Sequence, residues 1–162
     1  MLSLMHLNSF KIFNVFLIFI FSVVVNNNLP SLLSTSFYCI FYLFIIYLGI
    51  YYHKKSLFLI YFIYGLLLDI LLLNEIGPHL LVFICTLFFL NYFLRFLYNL
   101  SSTKVYLFII CLQIFMIFIQ MMIGYLLFDI FFNFMYFIEI ILLVLVLSYP
   151  IFLFFSKLDQ FN

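Results

Sequence analysis

The sequence of 162 residues is 70% hydrophobic and only 7% charged, with a net charge of +1 and a mean hydropathy of +1.42. About a quarter of the residues in soluble domains are charged, so this composition excludes an ordinary soluble domain. Apolar runs long enough to cross a bilayer recur along the chain. We therefore predict an all-α polytopic membrane protein, a bundle of six transmembrane helices that occupies residues 1–162 as a single transmembrane domain.

Polar breaks divide the apolar sequence into six segments. The predicted spans are residues 10–25, 32–52, 57–73, 77–98, 105–128 and 134–155. The third segment is short, and a very tight turn joins it to the fourth. A re-entrant hairpin over residues 57–98 is therefore the main alternative to six full crossings, although the length of the fourth segment favours a full crossing.

The basic residues predict the orientation of the chain. If all six segments cross, every basic residue falls on one side of the membrane: Lys11, Lys54, Lys55, Arg95, Lys104 and Lys157. The other side receives Glu75 and Asp129 and no basic residue. The positive-inside rule then places both termini in the cytoplasm. A re-entrant hairpin would leave the same charge bias, so this bias does not exclude it.

The third segment carries a carboxylate inside the apolar run "GLLLDILLL", at Asp69. An aspartate at a helix centre costs about 2.5–3.5 kcal/mol of insertion free energy, and each Leu, Ile or Phe returns about 0.3–0.6 kcal/mol. The segment therefore still inserts, but the carboxylate needs a polar partner or water. Gly65 lies one turn earlier on the same face and allows a helix or a ligand to approach closely.

The turn after this segment supplies the predicted partner of Asp69. Gly77 suits a tight reversal of the chain, and Pro78 suits the first turn of the following helix. His79 then lies at a depth similar to that of Asp69. We predict that Asp69 and His79 are hydrogen-bonded or ion-paired across the hairpin. Two roles stay open for this pair: it fixes the turn, which we favour, or it meets a partner or a ligand.

The later segments contain four further polar or helix-disrupting residues that call for an interpretation. Gln113 and Gln120 are seven residues apart on one helix face, which indicates interhelical hydrogen bonds. Glu139 is predicted to face the interior of the bundle. Pro150 is predicted to kink the last helix or to release the backbone carbonyl near Val146 from its hydrogen bond. The structural or partner-contact candidates are thus Gly65, Asp69, Gly77, Pro78, His79, Glu139 and Pro150.

The sequence shows no nucleophile–base pair, phosphate-binding loop or metal-ligand spacing. The three cysteines, Cys39, Cys85 and Cys111, each fall within a predicted span and are interpreted as packing residues rather than as disulfide or metal-binding residues. The chain is therefore predicted to be a non-enzymatic protein that uses no cofactor or metal, binds no nucleic acid and has the lipid bilayer as its surroundings.

The segment "GLLLD" at residues 65–69 is followed by Gly77 and His79 at eight and ten residues after Asp69. This pattern resembles the MreD family of bacterial rod-shape proteins, in which a "GLLxD" span precedes a "G-x-H-x-L"-like turn. The matching residues are Gly65, Leu66, Leu67, Asp69, Gly77, His79 and Leu81. The last span, "LSYPIFLFFSKL", also resembles the family's proline followed by an apolar run and basic residues. Pro78, "LNE" and a less basic tail depart from the family pattern.

The resemblance implies a multi-pass subunit of the cell-elongation complex, or elongasome, in the bacterial inner (plasma) membrane. Members of this family work with MreC, the MreB filament, a RodA-type glycosyltransferase and a penicillin-binding transpeptidase, and so support rod shape and peptidoglycan synthesis. The alternative is the substrate-binding membrane subunit of an energy-coupling-type vitamin transporter, because Asp69, His79 and Glu139 are predicted at one level of the membrane. An enzyme that acts on lipid is a more distant alternative.

Overall fold

The computed structural model describes residues 31–51, 57–70, 77–97, 99–128, 131 and 133–160. Within these ranges the protein is all-α, and its five helices are α1 (Ser31–Tyr51), α2 (Leu57–Leu68), α3 (Pro78–Leu97), α4 (Ser102–Phe128) and α5 (Phe134–Gln160). Four of them closely follow predicted spans, and α2 lies within the predicted residues 57–73 and is followed by a wider π-helical turn at 69–70. The predicted residues 71–73 lie outside the described residues. The predicted first span, residues 10–25, lies outside the described residues.

Three helices of the described part are long and apolar enough to cross a membrane. They are α3, residues Ser102–Leu127 of α4 and residues Phe134–Phe155 of α5. Residues Thr35–Tyr51 of α1 and the whole of α2 form shorter apolar helices. An all-α fold with apolar helices of membrane-spanning length is therefore confirmed.

Helix α1 is the central element of the described bundle. It contacts each of the other four helices, while α2 packs on α3, α3 on α4, and α4 on α5. Every residue from Phe41 to Ile50 is buried. The helices around α1 bury one side against it and leave large apolar side chains on the other side, as expected where lipid replaces water as the solvent.

Contacts between aromatic and polar side chains establish the relative directions of the helices. Tyr38, early in α1, bonds to Gln120, late in α4, so these two helices are antiparallel. Tyr47, late in α1, packs with a ring-centroid distance of 5.3 Å on Phe155, late in α5, so those two are parallel. His79, at the start of α3, packs on Tyr38 and is bonded to Asp69 at the end of α2. The starts of α1, α3 and α5 therefore share one end of the bundle with the last turns of α2 and α4. We call this the Asp69 end.

The opposite end of the bundle carries the described basic side chains near helix termini. Arg95 lies in the last turn of α3, Lys104 in the first turn of α4 and Lys157 in the last turn of α5. Because adjacent helices in the series α3, α4 and α5 are antiparallel, these three positions fall at one end. We call it the basic end.

The two glutamines of α4 make the interhelical hydrogen bonds that their spacing predicted. The Gln113 side-chain amide donates to the Cys39 carbonyl oxygen at 2.7 Å. The Tyr38 hydroxyl donates to Gln120 Oε1 at 2.9 Å. Both bonds are buried and join α4 to the central helix α1.

A double-mutant cycle measures the contribution of the Tyr38–Gln120 bond. We expect Tyr38→Phe and Gln120→Leu to show a coupling free energy of about 0.6–1.7 kcal/mol, the range found for side-chain hydrogen bonds between transmembrane helices. The readout is the free energy of unfolding in mixed detergent micelles titrated with SDS. Strictly additive effects of the two substitutions would contradict this bond.

Helix α5 has a capped start and a proline in its interior. Asn133 caps its start, where the Asn133 Oδ1 accepts hydrogen bonds from the backbone N–H groups of Met135 (3.0 Å) and Tyr136 (3.3 Å). Pro150 lies inside the helix, which nevertheless continues to Gln160. The proline removes one backbone donor. The kink expected at Pro150 stays a prediction.

Candidate functional site

The Asp69 carboxylate is fully buried at the end of α2 and lies against the first turn of α3. Its Oδ2 accepts hydrogen bonds from the backbone N–H groups of Gly77 (2.8 Å) and Leu80 (3.1 Å). Its Oδ1 accepts from the backbone N–H of His79 (2.8 Å) and also lies 2.8 Å from His79 Nδ1. One side chain thus makes four hydrogen bonds to a single helix terminus.

The start of α3 explains why a carboxylate is suited to this position. The first N–H groups of a helix have no partner within the helix, and they carry a partial positive charge. The first bond within this helix runs from the Leu81 N–H to the Gly77 carbonyl oxygen at 2.9 Å, which makes Gly77 the N-cap. Pro78 follows as the first helical residue and has no N–H to satisfy. Asp69 therefore caps α3 from the preceding helix.

Two glycines allow this close approach of α2 and α3. A Cβ atom added to Gly65 would lie 2.6 Å from Leu80 Cα and 3.1 Å from the Leu80 backbone nitrogen. Gly77 has a φ of 153°, which residues with a side chain rarely adopt. The predicted close approach at Gly65 is confirmed, whereas the tight reversal predicted at Gly77 stays a prediction, because residues 71–76 lie outside the described residues.

His79 is the second buried polar side chain of the hairpin, with 1% of its surface exposed. The predicted hydrogen bond with Asp69 is present, and its geometry fits donation from Nδ1–H to the carboxylate. Tyr38 and Tyr42 of α1 make T-shaped contacts with the imidazole, at ring-centroid distances of 5.9 and 6.3 Å. The other ring nitrogen, Nε2, is buried and has no hydrogen-bond partner among the described residues.

Removing the imidazole should weaken the hairpin less than removing the carboxylate. We expect His79→Leu to lower the free energy of unfolding by about 1.5–3 kcal/mol, because one hydrogen bond to a charged group is lost while three backbone donors keep their acceptor. His79→Asn should lose clearly less, since its side-chain amide can donate from nearly the same place as Nδ1. SDS titration of the purified variants measures both, and equal losses would contradict a donating role for Nδ1.

A second buried acceptor lies on α4. Gln113 donates its amide N–H to α1, but its Oε1 is buried and has no hydrogen-bond partner among the described residues. His79 Nε2 and Gln113 Oε1 thus lie on two different helices that both contact α1. Buried acceptors of this kind are satisfied by an ordered water molecule or by a ligand with donor groups.

The described residues hold no group of three or more His, Cys, Asp or Glu side chains placed to bind a metal ion. They do form a cavity of about 170 Å³ between α3 and α4, which is lined by Val82, Cys85, Thr86, Phe89, Leu112, Phe115, Met116 and Ile119. The Thr86 hydroxyl donates to the Val82 carbonyl oxygen within its own helix. The lining is therefore almost entirely apolar, which suits a hydrocarbon chain better than a polar ligand.

The structure places Glu139 differently from the prediction. Glu139 was expected to face the bundle interior, but its side chain is exposed. The buried side of α5 passes through Ile140, Val144 and Ser148, and each residue turns the helix by about 100°. Glu139 therefore points away from α1, and it is not part of the Asp69 site.

The cysteines also divide between the inside and the outside of the bundle. Cys39 is buried in α1, in agreement with its predicted packing role. Cys85 and Cys111 are exposed, so their interpretation as buried packing residues is wrong. All three thiols are free.

Sequence reasoning missed the backbone donors of the site. It identified the side chains of Asp69 and His79, but not the N–H groups of Gly77 and Leu80 that Asp69 also holds. The proline at the first helical position was a usable signal, because it marks where the free N–H groups of a helix begin.

No protein-family model, curated protein or solved structure matches the chain. The geometry of the hairpin is therefore the main guide to function.

Proposed function

We propose that the chain is a non-enzymatic integral membrane subunit of the bacterial cell-elongation complex and supports cell shape and peptidoglycan synthesis from the inner (plasma) membrane. It acts through helix contacts inside the membrane with an MreC-like partner. Through this partner it meets the MreB filament, the RodA-type glycosyltransferase and the penicillin-binding transpeptidase. The proposal includes six membrane spans and cytoplasmic termini.

One observation carries the proposal: the spaced residues of the MreD-like pattern belong to a single contact. Asp69 accepts hydrogen bonds from Gly77 and His79, and Gly65 allows the α3 backbone to come close enough. A "GLLLD" string alone arises easily in a leucine-rich chain. Four residues whose spacing matches the geometry of one capped hairpin are far less easily explained by composition, and this supports the resemblance.

The distribution of charge supports the proposed orientation. Arg95, Lys104 and Lys157 lie at the basic end, and Asp69 lies at the opposite end. Basic residues favour the cytoplasmic side of a membrane. The proposed arrangement puts the basic end in the cytoplasm and the capped hairpin on the outer side.

Co-purification tests the proposal. The tagged chain and the MreC-like protein of the same bacterium are expressed together, extracted in mild detergent and purified through the tag. We expect the MreC-like protein to be retained, and we expect cells depleted of the chain to lose their rod shape. Retention at the level of an unrelated polytopic membrane protein, together with normal rods after depletion, would refute the proposal.

The buried acceptors favour one second candidate, the substrate-binding membrane subunit of an energy-coupling-type vitamin transporter. His79 Nε2 and Gln113 Oε1 are buried without partners in the described part, and a small ligand with donor groups would satisfy them. Under this alternative, the purified chain would unfold at a higher temperature when a vitamin is added. It would also co-purify with transporter ATPases instead of an MreC-like protein. Neighbouring genes provide an independent distinction between the two candidates.

A further inference from the structure

Helix α5 is the least enclosed of the three helices that can cross a membrane. Only 17% of its spanning residues are buried, against 39% for α3 and for α4. Packing of α5 on α1 and α4 covers one side of the helix and leaves the other side open. Within the described bundle, this side of α5 is open to contact with another transmembrane helix.

The open side follows a regular pattern along the helix. Its middle is formed by exposed residues at alternating intervals of four and three: Met135, Glu139, Leu142, Val146, Tyr149 and Leu153. Of these, Tyr149 also touches α4 at the edge of this side, where its ring lies 6.1 Å from that of Tyr106. We call this set the α5 stripe. A spacing of 3.5 residues is the pattern by which two helices pack along a left-handed seam, with side chains of one helix fitting between those of the other. The stripe therefore has the geometry of a helix–helix interface.

Glu139 distinguishes the α5 stripe from an ordinary lipid-facing surface. It is the sixth residue of α5, about 8 Å from the start of the helix at 1.5 Å per residue. Ionisable side chains inside transmembrane segments are costly and normally pair with another polar group. The remaining stripe residues at deeper levels are apolar or aromatic. A facing helix must therefore be apolar over most of its length and supply a polar group at one level.

We infer that the α5 stripe binds one transmembrane helix of a partner protein and that this helix presents a Lys or Arg side chain to Glu139. A basic side chain complements the carboxylate in both charge and hydrogen bonding. A second copy of this chain is a poor occupant, because two-fold packing of parallel stripes would bring the two Glu139 side chains together. The inference rests on the proposed function only in taking the MreC-like protein as the partner.

Disulfide cross-linking in native membranes locates the partner helix. The three native cysteines are replaced by serine, and one cysteine is introduced at Val146 on the stripe or at Phe88, an equally apolar and exposed position on α3. Single cysteines are placed along the transmembrane helix of the MreC-like protein. We expect Val146→Cys to cross-link at positions that repeat every three to four residues along that helix, and Phe88→Cys to give no cross-link.

A charge exchange tests the pairing at Glu139. We expect Glu139→Leu and Glu139→Lys to reduce the retained MreC-like protein by about fivefold or more, the effect of losing one good interhelical bond. Glu139→Lys should regain most of the retention when the facing basic residue of the partner is changed to glutamate. An unchanged melting temperature of the purified variants would show that the loss arises from the interface, since Glu139 is exposed in the single chain.

The outcomes separate this inference from the proposed function. If the unaltered chain fails to retain the MreC-like protein, the proposed function is wrong. If the chain retains it but the cross-links form at Phe88, or Glu139→Leu has no effect on retention, the function stands and the α5 stripe is not the interface. Cross-links between two copies at Val146, or between Val146→Cys and a cysteine introduced within residues 10–25 of the same chain, would also overturn the inference.

Discussion

Replacing Asp69 with leucine is expected to lower the free energy of unfolding by about 3–5 kcal/mol, the largest effect of any single substitution in the hairpin. The change removes the acceptor of four hydrogen bonds and leaves three backbone N–H groups at the positive end of α3 without this acceptor, one of them buried and two partly buried. SDS titration of the purified protein in mixed micelles, followed by circular dichroism, measures this loss.

Two variants serve as controls for the Asp69 prediction. Ile70→Leu changes the neighbouring residue, which is 54% exposed, and should alter the free energy of unfolding by less than about 0.5 kcal/mol. Asp69→Asn should fall between the two, because its amide oxygen still accepts while its NH2 group faces N–H donors. A loss below about 1 kcal/mol for Asp69→Leu would show that other groups satisfy the α3 terminus.

Gly65→Ala is expected to lower the free energy of unfolding by about 1–3 kcal/mol. The added Cβ would lie 2.6 Å from Leu80 Cα, so α2 and α3 must separate and the hydrogen bonds of Asp69 must lengthen. In an unconstrained helix the same substitution would increase stability by up to about 1 kcal/mol, since alanine is the better helix former. The sign of the change therefore tests the close approach directly, again by SDS titration.

A double variant identifies the atoms responsible for the Gly65 effect. Leu80→Ala removes the Leu80 Cδ1, which lies 3.2 Å from the position that the added Cβ would occupy, but keeps the Leu80 Cα and backbone nitrogen. We expect it to leave most of the penalty of Gly65→Ala in place. Full recovery in the double variant would mean that the side chain rather than the backbone of α3 sets the distance between the helices.

The fold was predictable wherever the sequence alternates between apolar runs and polar breaks. The spans predicted at 32–52, 77–98 and 134–155 begin within one residue of α1, α3 and α5. The central position of α1 was not predictable. In a membrane the outer surface of a helix is as apolar as its packed surface, so apolarity does not indicate which face is covered. Only the contacts among the helices identify α1 as the interior element.

The location of Asp69 was predicted correctly and that of Glu139 was not, because only Asp69 is constrained by residues close to it in the chain. Asp69 and His79 lie ten residues apart across a Gly-Pro turn, and this short connection forces them together whatever the remaining helices do. Glu139 has no such local constraint. Its direction depends on how α5 rotates against α1 and α4, and the sequence around it is apolar on all sides.

The amino-acid sequence alone specifies the helical membrane class, most helix boundaries and the side-chain pair of the hairpin, because these depend on composition and on residues close together in the chain. The tertiary structure decides the rest. It directs the free N–H groups of α3 at Asp69, buries the Nε2 of His79 beside α1 and turns Glu139 outward. Each of these results depends on the rotation and approach of whole helices, which short-range sequence patterns do not encode.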